Sequence, residues 1–286
     1  MPTFDTPGPI TVSLEIGVGD IRIVASDRRD TVIEVRPSDS AKQGDVTAAE
    51  RTRVEFAGGH LLIKAPKTWR RYTPRGGAES IDVEIALPAG SQVRGEAGLA
   101  TLQCSGQLGE CRYETGLGDV ALDEAGPVSI KSGSGDVAIE HVAGDANVAT
   151  GTGAVRIGRI DGAAVIKNSS GDTALGEIAG DLRVSAAHGR ISVGSIAATA
   201  VVKTAYGDIE LGAVARGSVV AQTAYGKVGV GIRDGVAAWL DLNTGFGNVV
   251  NDLDASGRPE PGEDTVEVRA RSGFGDITIR RALIAA

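Results

Sequence analysis

Apolar and polar residues alternate along most of this chain, and glycine breaks the alternation at regular intervals. Residues 153–170 show the unit: Val155 and Ile157, then Ala164 and Ile166, stand at alternate positions, with Gly153, Gly158 and Gly162 punctuating the runs. Period-two alternation marks a half-buried strand, and recurrent glycine marks corners. The register then repeats about every eighteen residues. Val155 and Ile157 are followed by Thr173 and Leu175, Ile191 and Val193, and Ile209 and Leu211. Ala164 and Ile166 are followed by Leu182 and Val184, Ala200 and Val202, and Val219 and Ala221. These columns are predicted to point inward, in a unit that reads strand, corner, strand, corner.

So regular a period specifies an array. Its signature is Gly-x-Gly-Asp-Val, as in Gly116-Leu-Gly118-Asp119-Val120 and Gly133-Ser-Gly135-Asp136-Val137. The second position falls at Ala100, Gly118, Gly135, Gly153, Gly171, Gly189, Gly207 and Gly226, then more loosely at Gly247 and Gly275. Either a parallel solenoid or an antiparallel meander of hairpins carries such a pattern. The outward residue after the signature glycine separates them: it runs Asp136, Ala154, Asp172, Arg190, Asp208, Lys227, Asn248. In a parallel stack these neighbours lie about 4.8 Å apart, so like charges would repel and alternating charges attract. The chain is therefore read as all-β, a single-stranded parallel β-solenoid (β-helix) of about ten rungs, on the order of 50 Å long.

Residues 1–97 are less regular. They carry one early signature, Gly17-Val-Gly19-Asp20-Ile21, strand-like runs at 31–35, 53–56, 61–64 and 81–87, and a short helix at 45–52. An exposed terminal rung is an open sheet edge, so solenoids need atypical ends. Residues 1–97 are read as a β-rich capping region and 98–286 as the solenoid repeat region of one continuous elongated domain. A Pro- and acid-rich loop at 251–264 precedes a closing unit at Gly273-Phe-Gly275-Asp276-Ile277.

Composition narrows the picture. Aromatics make up 3% of the chain while glycine supplies 41 residues, so Val, Ile, Leu and Ala must fill a thin core. A net charge of −8 and a pI near 5.0 argue against a nucleic-acid binder, which needs a basic face. No run is long enough to span a bilayer, and the start, Met1-Pro-Thr-Phe-Asp5, has neither a cationic leader nor an apolar stretch. The expected compartment is the cytoplasm; the alternative is the cell surface by non-classical export.

A search for chemistry assigns no catalytic, cofactor-binding or metal-ligating residue. Cys104 and Cys111 fall in register with inward Leu122 and near Val128, and are read as buried free thiols, with a disulfide as the alternative. His60, His141 and His188 lie in separate segments without Cys or carboxylate at ligand spacing. No phosphate loop or Gly-x-Ser-x-Gly elbow occurs. Calcium-binding β-rolls match poorly, because Arg190 and Lys227 would put cations into the calcium row. Asp123, Glu140 and Glu210 could serve a polysaccharide-cleaving β-helix, but Gly158, Gly176 and Gly194 follow Glu140 on its column, and no facing pair of carboxylates forms. A carbohydrate-active enzyme is thus a distant alternative.

Two surface features remain. The corner residue between the signature glycines turns aromatic toward the C-terminal end, at His188, Tyr206, Tyr225, Phe246 and Phe274, which predicts a ladder of rings at successive rungs. It serves either structural stacking or a carbohydrate or partner surface. The segment 66–75 contains Trp69, Arg70, Arg71 and Tyr72, a cationic and aromatic stretch in an acidic chain. It is either a solvated loop or a docking site for an acidic partner.

The Gly-x-Gly-Asp-Val repeats, Leu87-Pro88-Ala89-Gly90-Ser91, Ala238-Trp239-Leu240-Asp241 and the ending Gly275-Asp276-Ile277-Thr278-Ile279-Arg280-Arg281 resemble the actinobacterial branch of the bacterial putative-adhesin β-strand-repeat family. The resemblance covers nearly the whole chain and implies a β-solenoid of unknown function, with no catalytic residues to carry over. The functional expectation is a non-catalytic interaction scaffold that binds a protein partner or itself, end to end through terminal strands. An exported adhesin-like binder of cell-surface polysaccharide is the alternative.

Overall fold

Strands form where the alternation places them. The computed structural model describes residues 2–66, 79–253 and 264–282, and the fold is an all-β parallel β-solenoid. The chain divides into two compact units, residues 1–141 and 142–286.

Through most of the second unit a rung pairs in parallel with the one eighteen residues on: Val155 faces Thr173, Thr173 faces Ile191, and Ile191 faces Ile209. The companion strand behaves alike, with Ile166 on Val184 and Val184 on Val202. All the predicted inward positions are buried, and Ile166, Val184, Val202, Val219 and Ala221 are wholly so. The hydrogen-bond ladder continues around the corners, where Gly171 N–H donates to His188 O (3.0 Å) and Thr173 N–H to Arg190 O (2.8 Å). Corner backbone groups are thereby paired despite having no strand of their own.

Three devices build the signature corner. The glycine itself has φ between 127° and 153° from Gly153 to Gly275, a region that L side chains rarely adopt. The aspartate after it caps the next rung: Asp172 Oδ1 accepts from Arg190 N–H, Asp208 Oδ1 from Lys227 N–H (both 2.8 Å) and Asp276 Oδ1 from Asn248 N–H (2.9 Å). Inside the corner runs a buried polar column that sequence reading missed: Thr150, Asn168, Thr204, Thr223 and Ser272. Its members tie down corner carbonyls, as Thr223 Oγ1 donates to Gly207 O (3.0 Å) and Ser272 Oγ to Gly226 O (2.9 Å). The signal for that column is a Thr, Ser or Asn three residues before the signature glycine, broken at Gly189, where Ala186 holds the position.

The caps recast the charge alternation. Asp208 binds a backbone N–H on one side and faces Arg190 at 3.7 Å on the other. Asp208→Lys loses the cap and places a cation between Arg190 and Lys227. It should cost about 0.5–2 kcal/mol, read from urea unfolding.

The order of the last two rungs differs from the sequence. The strands Thr265–Phe274 and Ile277–Arg281 insert between the rung of Gly217–Tyr225 and Val228–Ile232 and that of Ala237–Phe246 and Val249–Asn251. Asn248 therefore stacks on Asp276, not on Lys227, and Phe274 precedes Phe246 in space. Asn251 supplies the reason. It occupies the inward column of Val230 and Ile279, and in sequence order it would be buried between them. An unpaired buried amide costs about 1–3 kcal/mol, whereas at the end of the stack Asn251 is exposed.

In the first unit Thr11–Ser26 is itself a rung, paired in parallel with Gln92–Leu108 from Thr11 on Gln92 to Val24 on Ser105. On its other side lie His60–Lys64 and Ile81–Pro88, which pair antiparallel with Arg53–Ala57 and Asp30–Pro37. The predicted short helix spans Gln43–Arg51, where Asp45 Oδ1 accepts from Ser80 N–H (3.0 Å). Cys104 pairs with Leu122 and Cys111 with Val128, as the register predicts. Both are buried free thiols; burial raises each, Cys111 to about 12.

Candidate functional site

The ladder forms at the corners of the second unit. His188 stacks on Tyr206 with ring centroids 5.1 Å apart, Tyr206 on Tyr225 at 4.9 Å, Tyr225 on Phe274 at 4.8 Å and Phe274 on Phe246 at 4.8 Å. Interplanar angles are 2° to 7°. The spacing is that of adjacent strands, so the backbone register dictates the stack. All five predicted rings come together, with the last two exchanged.

This geometry limits what the ladder can bind. Each inner ring has both faces covered by its neighbours and offers only its edge. Sugars stack on aromatic faces, as do cations, and here the faces without a ring neighbour belong to His188, on whose far side Ser170 lies, and to Phe246 at the outer rung. Exposure follows suit: Tyr225 and Phe274 are each 46% exposed and Phe246 is 69% exposed. Beside Phe246 the same rung presents Trp239, 58% exposed, with Val249 and Val250 also exposed. Trp69, Arg70, Arg71 and Tyr72 lie outside the described residues.

Elsewhere the described outer surface carries paired charges. One cleft of the first unit is lined by Arg22, Arg36 and Glu84, where Glu84 Oε1 accepts from Arg22 (3.2 Å) and Arg36 (2.6 Å). Another holds the row Glu15, Glu96 and Glu114, flanked by Lys64 on Glu15 (2.5 Å) and Lys131 on Glu114 (3.4 Å). Neither contains a nucleophile paired with a base. The sequence candidates Asp123 and Glu210 are also engaged: Asp123 accepts from Gly106 N–H (3.0 Å), and Glu210 pairs with Arg280 (2.5 Å). Among the described residues no group of three or more His, Cys, Asp or Glu could hold a metal ion. His141 sits 3.5 Å from Glu124, away from His188 in the ladder. The signature aspartates commit an oxygen to backbone N–H groups, which is the work a calcium roll would leave to the ion.

Residues 11–280 match the family model Toastrack DUF4097. The chain belongs to the Toastrack DUF4097 family. That is a family of unknown function, so membership explains the rungs and leaves the surface to be interpreted. Solved structures similar to the Toastrack chain include three with the following likenesses. A putative cell adhesion protein from Clostridium sporogenes shares 11% identity over 98% of both chains, with a TM-score of 0.25. A putative adhesin from Parabacteroides distasonis shares 15% over 97% of this chain and 95% of that one, with a TM-score of 0.37. A putative adhesin from Bacteroides fragilis shares 14% over the same fractions, with a TM-score of 0.31. Likenesses this distant carry no functional argument. No curated protein matches the chain. Among the described residues of this Toastrack member, no helix is long and apolar enough to cross a membrane.

Proposed function

We propose that the protein is a non-catalytic β-solenoid scaffold that docks a protein partner or a second copy through the outer rung of its second unit. The observation that carries this reading is the open outer rung, on whose two strands Trp239, Phe246, Val249 and Val250 are all exposed. An open edge pairs with another strand, and exposed apolar side chains along it add buried area to that pairing. The glycine, aspartate and hydroxyl columns need no ligand to explain them, since each serves rung stacking. Capture with the immobilised full chain tests the reading. Partners retained by the wild type and lost by Trp239→Lys support it; a specific hydrolytic or lyase activity overturns it.

The exported polysaccharide binder keeps one supporting observation, the half-exposed edges of Tyr206 and Tyr225. Covered ring faces favour a structural ladder instead. Removing Tyr206 and Tyr225 together breaks three stacked pairs and should cost about 1–3 kcal/mol in thermal unfolding while leaving partner capture intact. Glycan binding by the wild type that vanishes in this double variant would favour the adhesin reading. Recovery of the native protein at the envelope or in the medium would move it out of the expected cytoplasm.

A further inference from the structure

Open edges of two kinds end the described sheets. In the first unit they are the short strands Thr3–Asp5 and Arg53–Ala57, which carry Asp5, Arg53 and Glu55, with Phe4 stacked on Phe56 at 5.0 Å. Short, charged, self-covered edges resist the addition of another strand. The second unit ends differently. Ala237–Phe246 is ten residues long, and on its whole rung the single charge is Asp241, which pairs with Arg271 at 3.9 Å. Its inward residues Leu240 and Leu242 are only half-buried, whereas Val268 and Ala270, one rung deeper, are wholly buried.

We infer that the free edge of Ala237–Phe246 pairs antiparallel with the same strand of a second copy of this chain, about a twofold axis at Asp241. This rests on the scaffold reading and names its partner. Charge leaves this rung the best place for it: two copies of net charge −8 repel each other generally, and here the single charge, Asp241, meets its copy at the axis while paired with Arg271 of its own chain. The pattern argues for it too. A twofold at Asp241 sets Leu240 opposite Leu242, keeps inward residues inward, and covers the two half-open leucines. The neighbouring segment 254–263 has the wrong chemistry to supply that strand, since it contains Pro259, Pro261 and three carboxylates, and proline donates no ladder hydrogen bond. Because the described edges of the first unit are short and charged, head-to-tail growth lacks an acceptor, and the twofold contact closes the assembly.

Sedimentation of the full chain at micromolar concentration tests this. The expected particle has twice the 29.1 kDa chain mass. Asn243→Lys, opposite Trp239 of the second copy, and Val250→Lys, on the rung's other strand, should each weaken dimerisation at least about tenfold with unchanged circular dichroism, because a lysine on the paired edge must give up its hydration. Asp241→Cys should form an intermolecular disulfide under mild oxidation, visible on a non-reducing gel, because paired strands bring opposite residues to about 5 Å. Native Cys104 and Cys111 are buried and should not contribute. A monomer throughout, a dimer indifferent to both lysines, or an open series of higher oligomers would overturn the proposal. A monomer that still captures partners removes the twofold and leaves the scaffold; catalysis by an intact dimer does the reverse.

Discussion

Gly207→Val is expected to abolish cooperative folding of the second unit, at a cost of about 4 kcal/mol or more. Two penalties add at this position. Gly207 has φ +145°, which a β-branched residue does not adopt without strain. A Cβ there would also overlap the carbonyl of Gly189 on the preceding rung, and backbone cannot swing aside as a side chain can. Displacing that corner breaks the bond from Thr223 Oγ1 to Gly207 O and the bond from Gly207 N–H to Tyr225 O. Gly58 is the control. It too has a positive φ, +58°, but a Cβ there meets nothing within 4 Å, so Gly58→Ala should cost only about 1 kcal/mol. Urea unfolding of both variants, with circular dichroism for residual structure, separates strain alone from strain with collision. A Gly207→Val chain as stable as the Gly58→Ala chain would contradict the corner geometry.

The second large effect tests the exchanged rungs. Val268 is wholly buried between Val219 and Leu240, so Val268→Asp buries an unpaired carboxylate and should cost more than about 4 kcal/mol. Leu240 belongs to the outer rung and is half-buried, so Leu240→Asp should cost less than about 2 kcal/mol and leave a folded chain. If the rungs stacked in sequence order, the two effects would trade places. Thermal unfolding of the pair decides the order without any structural probe.

Most of the solenoid was legible because its information is local and repeated. The columns through Val155 and Ile166 recur with an eighteen-residue step, and a parallel stack converts that step directly into contact. The exchanged rungs were not legible, because Thr244-Gly-Phe-Gly-Asn and Ser272-Gly-Phe-Gly-Asp satisfy the same template. Only Asn251 in an inward column separates the two orders, and its weight appears only once the column is assembled. Thr11–Ser26 hid for a different reason: its partner Gln92–Leu108 lies beyond residues 27–91, which outlasts any eighteen-residue comparison. The ladder positions were legible, whereas the choice between structural stacking and a binding surface stayed open, since periodicity places rings without showing which faces are covered.

The exchange also separates chain order from order of assembly. In most stacked folds the last segment synthesised is the last layer laid down, and trimming the tail peels the outside first. Here residues 265–281 form the layer on which residues 237–251 rest. On a ribosome the outer layer emerges before its template, and must wait unpaired or pair provisionally with the layer beneath until the tail arrives. A chain cut after Asp252 loses the inner layer while keeping the outer one, which is then left without its floor.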